Sequence, residues 1–290
     1  MSRGDQIFNQ IQKKARTDGV EASKQPPTAE YLTRHALESF LDRLTQTEHG
    51  EDFVLKGGIL LAAYGARRPT KDVDAEAISS SVTAGNIAQI VSDIAAVEAD
   101  DGVEFDLASL DIQEIREEAE YPGLRVRVNI SIGTFSGKVL WDISTGDPIV
   151  PTPKMVKVPR VLGDDIEMLG YAPETVLAEK GVTILERGTT STRWRDYVDI
   201  VRLAETYDVD EDLLLASAQA VADYRGVDLN PVGSMLDGYG STSQPKWAAW
   251  RRKEGFEDIC EDSLDAQVAA AAAVLDPVFA RGRATAPKPS

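Results

Sequence analysis

Apolar positions along the chain change their period several times, and the changes predict its elements. Residues 3–17 are mostly polar and read as a surface helix. Residues 24–27 carry two prolines and read as a linker, after which Thr28 stands where an N-cap is needed. From residue 30 to 44, Leu32, Ala36, Leu37, Phe40 and Leu44 recur at helical spacing. The pattern then shortens. Residues 53–55 form an apolar strand that runs into Lys56-Gly57-Gly58, and residues 59–64 read as a buried helix. A turn over 67–70 contains Pro69, and residues 71–76 alternate as a strand. Residues 79–96 predict a helix opened by serines. Residues 103–107, 124–132 and 138–144 predict three further strands. Val126, Val128, Ile130 and Ile132 share one face of the second of these, and residues 133–137 read as a hairpin turn.

Beyond Pro173 the pattern is helical, over 173–187, 195–207, 210–224, 245–255 and 263–281. No internal repeat is visible. The expected class is α+β. Residues 1–48 give N-terminal helices, 49–160 a mixed core, 161–283 a helical domain and 284–290 a tail. The change of pattern falls within 155–172.

Composition adds limits. A 42% hydrophobic and 27% charged chain of 290 residues can bury a sizeable core. No apolar h-region opens it, and no run approaches the ~18 apolar residues of a membrane span. Neither a signal peptide nor a membrane association is therefore expected. Cys260 is the only cysteine, so no intramolecular disulfide can form, which fits a cytoplasmic protein. His35 and His49 read as packing or surface residues, and nothing resembles a Cys/His zinc set. The net charge of −17 argues against a protein that coats nucleic acid. Acids crowd residues 93–120. Arg125, Arg127, Lys138, Lys154, Lys157 and Arg160 follow, a basic stretch on which a polyanion could dock.

The chemistry concentrates in two segments. A strand delivers the chain to Gly57 and Gly58 at a helix start, where glycine permits close backbone approach and free N–H groups suit a phosphate. The basic turn with Arg67 and Arg68 follows, then Asp72 and Asp74. Residues two apart on a strand project to the same face. Two neighbouring carboxylates repel unless a cation lies between them, and hard oxygen donors suit magnesium. A third carboxylate on a nearby strand would complete such a set. Asp142, an acid in an apolar strand, is preferred. Asp106, within the acid-rich segment, is the rival. Glu76 shares the parity of Asp74 but sits past the useful edge. In the second segment, Lys180 lies among apolar helical positions and needs an anionic partner. A triphosphate or Asp196 would serve. The plainer alternative is an ion-pair network of Lys180, Arg187, Asp196 and Asp199 between two helices.

Taken together, Lys56-Gly57-Gly58, Arg68, Thr70-Lys71-Asp72-Val73-Asp74, Ala178-Glu179-Lys180 and Arg195-Asp196-Tyr197-Val198-Asp199-Ile200 resemble the AbiEii family of type IV toxins, which includes the MenT-like nucleotidyltransferases. The resemblance covers about residues 53–203. It implies a DNA polymerase β-like core with a helical C-terminal domain. It also implies nucleotide transfer from an NTP to an RNA, in MenT-like members often a pyrimidine nucleotide to a tRNA 3′ end. Carried over by position, Asp72, Asp74 and Asp142 would bind two Mg2+ ions. Lys56, Gly57, Gly58, Thr70 and Lys71 would bind the nucleotide, and Lys180 the triphosphate. Asp196 would position Lys180 or the nucleotide. A separately encoded antitoxin is also implied, and the chain itself is expected to be a monomer. Two positions depart from the pattern: Ile59 follows the glycines where relatives often carry a small polar residue, and Thr70 stands where serine is common. Two other classes stay open: a nucleotidyltransferase acting on a small hydroxylated molecule, and a catalytically silent nucleotide-binding module.

Overall fold

The computed structural model describes residues 1–21, 28–115 and 123–285. The linker expected over 24–27 and the last five residues of the expected tail lie outside them. Two compact units emerge. The first comprises Met1–Ala63, Arg67–Gly146 and Lys154–Gly170; the second comprises Tyr64–Ala66, Asp147–Pro153 and Tyr171–Ser290.

The first unit is built on one sheet. Its strands are Phe53–Lys56 (β1), Val73–Ala77 (β2), Glu104–Ile115 (β3), Gly123–Ile132 (β4), Phe135–Ser144 (β5), Lys154–Val158 (β6) and Ile166–Gly170 (β7). Their order is β3-β4-β5-β2-β1-β7-β6. β2 runs parallel to β5 and β1 parallel to β7, while the other neighbours are antiparallel. Helices Arg3–Glu21 (α1) and Thr28–Thr45 (α2) pack on strands of this sheet. Gly57–Leu60 (α3) is a single turn after β1, continued as a 3-10 turn over Leu61–Tyr64, and Ala84–Ala96 (α4) packs on β3.

Strand parity decides which side chains face the helices. Trp141 and Ile143 of β5 pair in register with Val73 and Ala75 of β2, and all four are buried. Phe40 of α2 meets Trp141 edge-on at 5.3 Å, and Phe53 of β1 meets it at 4.8 Å. Such aromatic pairs add to the stabilisation that burial already gives. Val126, Val128, Ile130 and Ile132 of β4 are buried on one face, as their spacing predicts. The intervening residues, Asp74, Glu76, Asp142 and Arg125 among them, project to the opposite face of the sheet.

The second unit is helical. It holds Pro173–Arg187 (α5), Trp194–Thr206 (α6), Glu211–Arg225 (α7), Val232–Met235 (α8), Tyr239–Glu254 (α9) and Leu264–Thr285 (α10). Trp194, Trp247, Trp250 and Phe256 form its aromatic cluster, with Trp247 fully buried. Gly181 lets α5 approach α10 closely, since a Cβ there would lie 2.6 Å from the Phe279 ring. Among the described residues, no helix is long and apolar enough to cross a membrane.

Four local expectations are corrected. The strand at 103–107 continues to Ile115, with a register shift between Asp106 and Asp111. As the last strand of the sheet order it exposes many of its side chains, so no apolar alternation marks its length. α4 begins at Ala84 rather than in the serines, because the Thr83 side chain caps the Asn86 N–H. β6 and β7 occupy a stretch where the sequence pattern signals only a change of period. α9 starts at Tyr239 and carries Pro245 inside it.

Candidate active site

The two-residue parity of β1, β2, β4 and β5 builds a row of charge across four strands. The register pairs Arg125 with Asp142, Asp142 with Asp74, and Asp74 with Lys56. Two carboxylates thus stand side by side on adjacent strands, with a cation at each end of the row. Asp72, just before β2, brings a third acid. One oxygen from each of Asp72, Asp74 and Asp142 lies within 4.8 Å of the others, and all three are half-buried. Asp106, the rival third acid, lies on β3 and caps the Ala108 N–H with its own side chain.

The electrostatics of this cluster are uneven. Burial pushes the Asp74 carboxyl up to about 7, and the charges of Asp72 and Asp142 push in the same direction, against Lys56 and Arg68. Asp142 is held by Arg125, whose guanidinium donates to both its oxygens at 2.7 and 2.5 Å. Those hydrogen bonds hold Arg125 protonated. Arg125 is the neighbour of these acids that sequence reasoning misses, because it counts Arg125 only within a basic stretch. Its parity on β4, outward like Arg127, was the available signal.

Glu76 is buried one pair further along β2. It accepts from Lys56 Nζ at 3.1 Å and from Ser144 Oγ at 2.6 Å, so its charge is met inside the sheet. Lys56 thereby links the Glu76 pair to the Asp74 row.

The glycines act at closer range than the sequence suggests. Gly57 has φ +67°, and a Cβ there would sit 1.9 Å from the Asp74 carboxylate. A Cβ on Gly58 would sit 2.2 Å from Thr70 Oγ1 and 2.8 Å from the Arg68 guanidinium. Both glycines therefore make room for the side chains of the acid-bearing segment itself. Thr70 and Arg68 also meet each other, with Arg68 Nη1 donating to Thr70 Oγ1 at 3.3 Å. Lys71 is exposed next to Asp72.

In the second unit, α5 and α6 bring Lys180 between two buried carboxylates. Its Nζ lies 2.6 Å from Asp196 Oδ1 and 2.9 Å from Asp199 Oδ2. Arg193 Nε donates to the other Asp196 oxygen at 3.2 Å. The ion-pair network expected between the two helices is present for Lys180, Asp196 and Asp199.

The donor set of Asp72, Asp74 and Asp142 fits a divalent cation. It offers three hard carboxylate oxygens close together on the sheet face opposite the Trp141 core, where burial first and mutual charge second raise the pKa of one of them. Such a triad on a mixed sheet, reached through a strand, a Gly-Gly turn and a return strand, matches the DNA polymerase β-like nucleotidyltransferase core that the motif resemblance implies. A family model described as nucleotidyl transferase AbiEii toxin, type IV TA system, matches residues 39–270, and the chain belongs to that family. In fold it is similar to a candidate nucleotidyltransferase from H. pylori, with 89% of this chain and 98% of that one covered, 15% identity and a TM-score of 0.50. JHP933 from Helicobacter pylori is similar over 88% of this chain and 94% of its own, at 15% identity and a TM-score of 0.50. Among curated proteins, no sequence matches this one.

Proposed function

We propose that the protein transfers a nucleotide from an NTP to the 3′ end of an RNA, tRNA being the favoured acceptor. It acts as the cytoplasmic, monomeric toxin of a type IV pair opposed by a separately encoded antitoxin. The observation that carries this reading is the row Arg125–Asp142–Asp74–Lys56 with Asp72 beside it. A pair of aligned carboxylates with a third at its side is what a polyphosphate substrate with divalent cations requires, and a structural ion pair does not need a third acid.

On this reading residues 49–160 carry the catalytic core. Asp72, Asp74 and Asp142 hold two Mg2+ ions, which offset triphosphate charge and make the attacking hydroxyl more acidic. Arg125 fixes the Asp142 carboxylate in one orientation and leaves each of its oxygens a lone pair for a ligand. Gly57 keeps the turn flush against Asp74, so the segment that meets the nucleotide cannot drift from the acids. Gly58, Thr70, Lys71 and Lys56 border the nucleotide. Lys180 keeps the triphosphate contact that its motif implies, and Asp196 positions it.

A labelling assay tests the reading. Purified protein is mixed with total tRNA, Mg2+ and each α-labelled NTP in turn, with Asp72→Ala as the control. Label on tRNA that the variant does not produce is the expected result. A second reading, transfer to a small hydroxylated acceptor, draws on one observation. Arg125, Arg127, Lys157 and Arg160 of the basic stretch each pair with a carboxylate, which reduces what that stretch offers an RNA. NTP binding and turnover without label on any RNA would favour it.

A further inference from the structure

Next to the carboxylate row, the first unit holds an open cavity of about 220 Å³ whose α2 wall the reaction reading leaves unused. It lies between α2 and the turn over residues 67–70. Gly58, Arg68 and Thr70 line it on the side of the acids, and Gly58 follows the glycine that touches Asp74. The volume is below the ~300 Å³ at which pockets for drug-sized ligands begin. It suits one planar ring system, not a whole NTP.

The lining points to the kind of ring. Tyr31, Ile59 and Pro69 give apolar walls. The Tyr31 hydroxyl donates to Asp18 at 2.8 Å, which fixes the plane of its ring. Arg34 and Arg67 stand over Glu38, which is 1% exposed. Arg34 donates to Glu38 at 2.5 Å and to the Pro159 carbonyl at 3.2 Å. Arg67 donates to the same carbonyl at 2.5 Å and lies 3.5 Å from Glu38. A phosphate site presents guanidiniums whose forks are open to the ligand. These two are engaged with the protein and held as flat surfaces, the arrangement on which a base stacks.

Glu30 completes the picture. It lines the cavity half-buried. Burial pushes its pKa upward, against the charges of Arg34 and Lys71. A carboxylate accepts and cannot donate while ionised, so a ligand edge with N–H groups answers it.

We propose that this cavity is a nucleobase pocket, in which Glu30 accepts hydrogen bonds from the amino or imino edge of one base held against Tyr31 and the Arg34–Arg67 pair. The inference rests on the nucleotidyltransferase reading and adds to it the element that selects a base. The base comes either from the incoming NTP or from the 3′ end of the acceptor.

The test is equilibrium binding to the full-length protein with Ca2+ in place of Mg2+, so that no turnover is needed. The probes are the four NTPs and four RNA oligonucleotides that differ only in their 3′-terminal base. Wild type, Glu30→Gln and Tyr31→Ala are compared, with thermal melting to confirm folding. Glu30→Gln is expected to weaken the preferred base about tenfold, the scale of one hydrogen bond to a charged acceptor, and to leave the others within about twofold. Tyr31→Ala should weaken all bases together. A shift in the NTP ranking assigns the pocket to the incoming nucleotide, and a shift confined to the oligonucleotides assigns it to the acceptor. Unchanged rankings in both panels, or no binding of any probe, overturn the pocket. Unchanged rankings beside normal label transfer would overturn the pocket alone. A wild type that transfers nothing overturns the reaction reading, while the binding rankings still decide the pocket.

Discussion

At the scale of single residues, the site depends on how close Gly57 lies to Asp74. Its left-handed φ suits glycine, and a Cβ at this position would fall within the carboxylate. Gly57→Ala is therefore expected to cost about 1–3 kcal/mol of stability and to displace Asp74. Nucleotide transfer should fall at least tenfold in a protein that still melts cooperatively. Activity close to wild type would mean that the acids do not need this turn. Asp74 also gives a pH dependence with a definite sign. Its folded pKa, about 7, lies above its value in an unfolded chain, so folding favours the protonated form. Stability is highest below the unfolded value and falls as pH rises from there through 7. A divalent cation replaces the proton and offsets that loss. Added Mg2+ should raise Tm by at least about 2 °C more at pH 8 than at pH 6, and Asp74→Asn should remove the difference. An equal shift at both pH values would count against cation binding at these acids. The closeness of Asp72 and Asp74 is legible in the sequence from their two-residue spacing, although Asp72 itself lies just before β2. The Arg125 fork is not, since it exists only once β4 and β5 are in register.

At the scale of elements, α5 and α6 are joined through Lys180, and the question is whether this lysine acts as a structural tie or as a ligand for substrate. Its removal leaves Asp196 and Asp199, 4% and 1% exposed, facing each other without it. Breaking a buried pair by deleting one partner costs about 3–5 kcal/mol. Arg193, which still reaches Asp196, should hold the loss toward the lower figure. Lys180→Met should thus lower the urea midpoint clearly. Adding Asp196→Asn and Asp199→Asn should restore much of it, because no uncompensated charge remains. The triple variant then separates the two roles. If NTP use returns with stability, Lys180 is only a tie; if the restabilised protein still fails to use NTP, the lysine meets the triphosphate. Helical spacing makes both helices and this cluster legible. The same method misses β6 and β7, since Lys154, Met155, Lys157 and Glu167 are exposed and only Val156, Val158, Ile166 and Met168 carry an inward pattern. Short strands at the end of a sheet bury too few residues to leave a period in the sequence.

At the scale of the whole molecule, a chain with 48 acids and 31 Lys and Arg residues must still admit a triphosphate and, on the proposed reading, an RNA end. By sequence, residues 125–160 read as a basic landing surface. The folded chain answers much of that charge locally: Arg125 by Asp142, Arg127 by Asp111, Lys157 by Glu167 and Arg160 by Asp42. Lys138 and Lys154 stay exposed without an ion pair among the described residues. Contiguity in sequence is not the same as an open positive surface, because strand pairing sets acids opposite Arg125, Arg127 and Lys157, and α2 sets Asp42 against Arg160. An RNA held by such a protein can release few counterions. Each phosphate neutralised on a single strand contributes about −0.7 to the slope of log affinity against log salt. About two to four contacts therefore predict a slope of about −1.5 to −3, measured by filter binding of tRNA between about 50 and 200 mM KCl. That range means recognition of a strand end by shape, stacking and a few cations. A slope steeper than about −5 would require an extended basic groove, which the pairing of these cations argues against. Absence of tRNA binding, with NTP binding intact, would move the acceptor to a small molecule, for which a strongly negative chain is no obstacle.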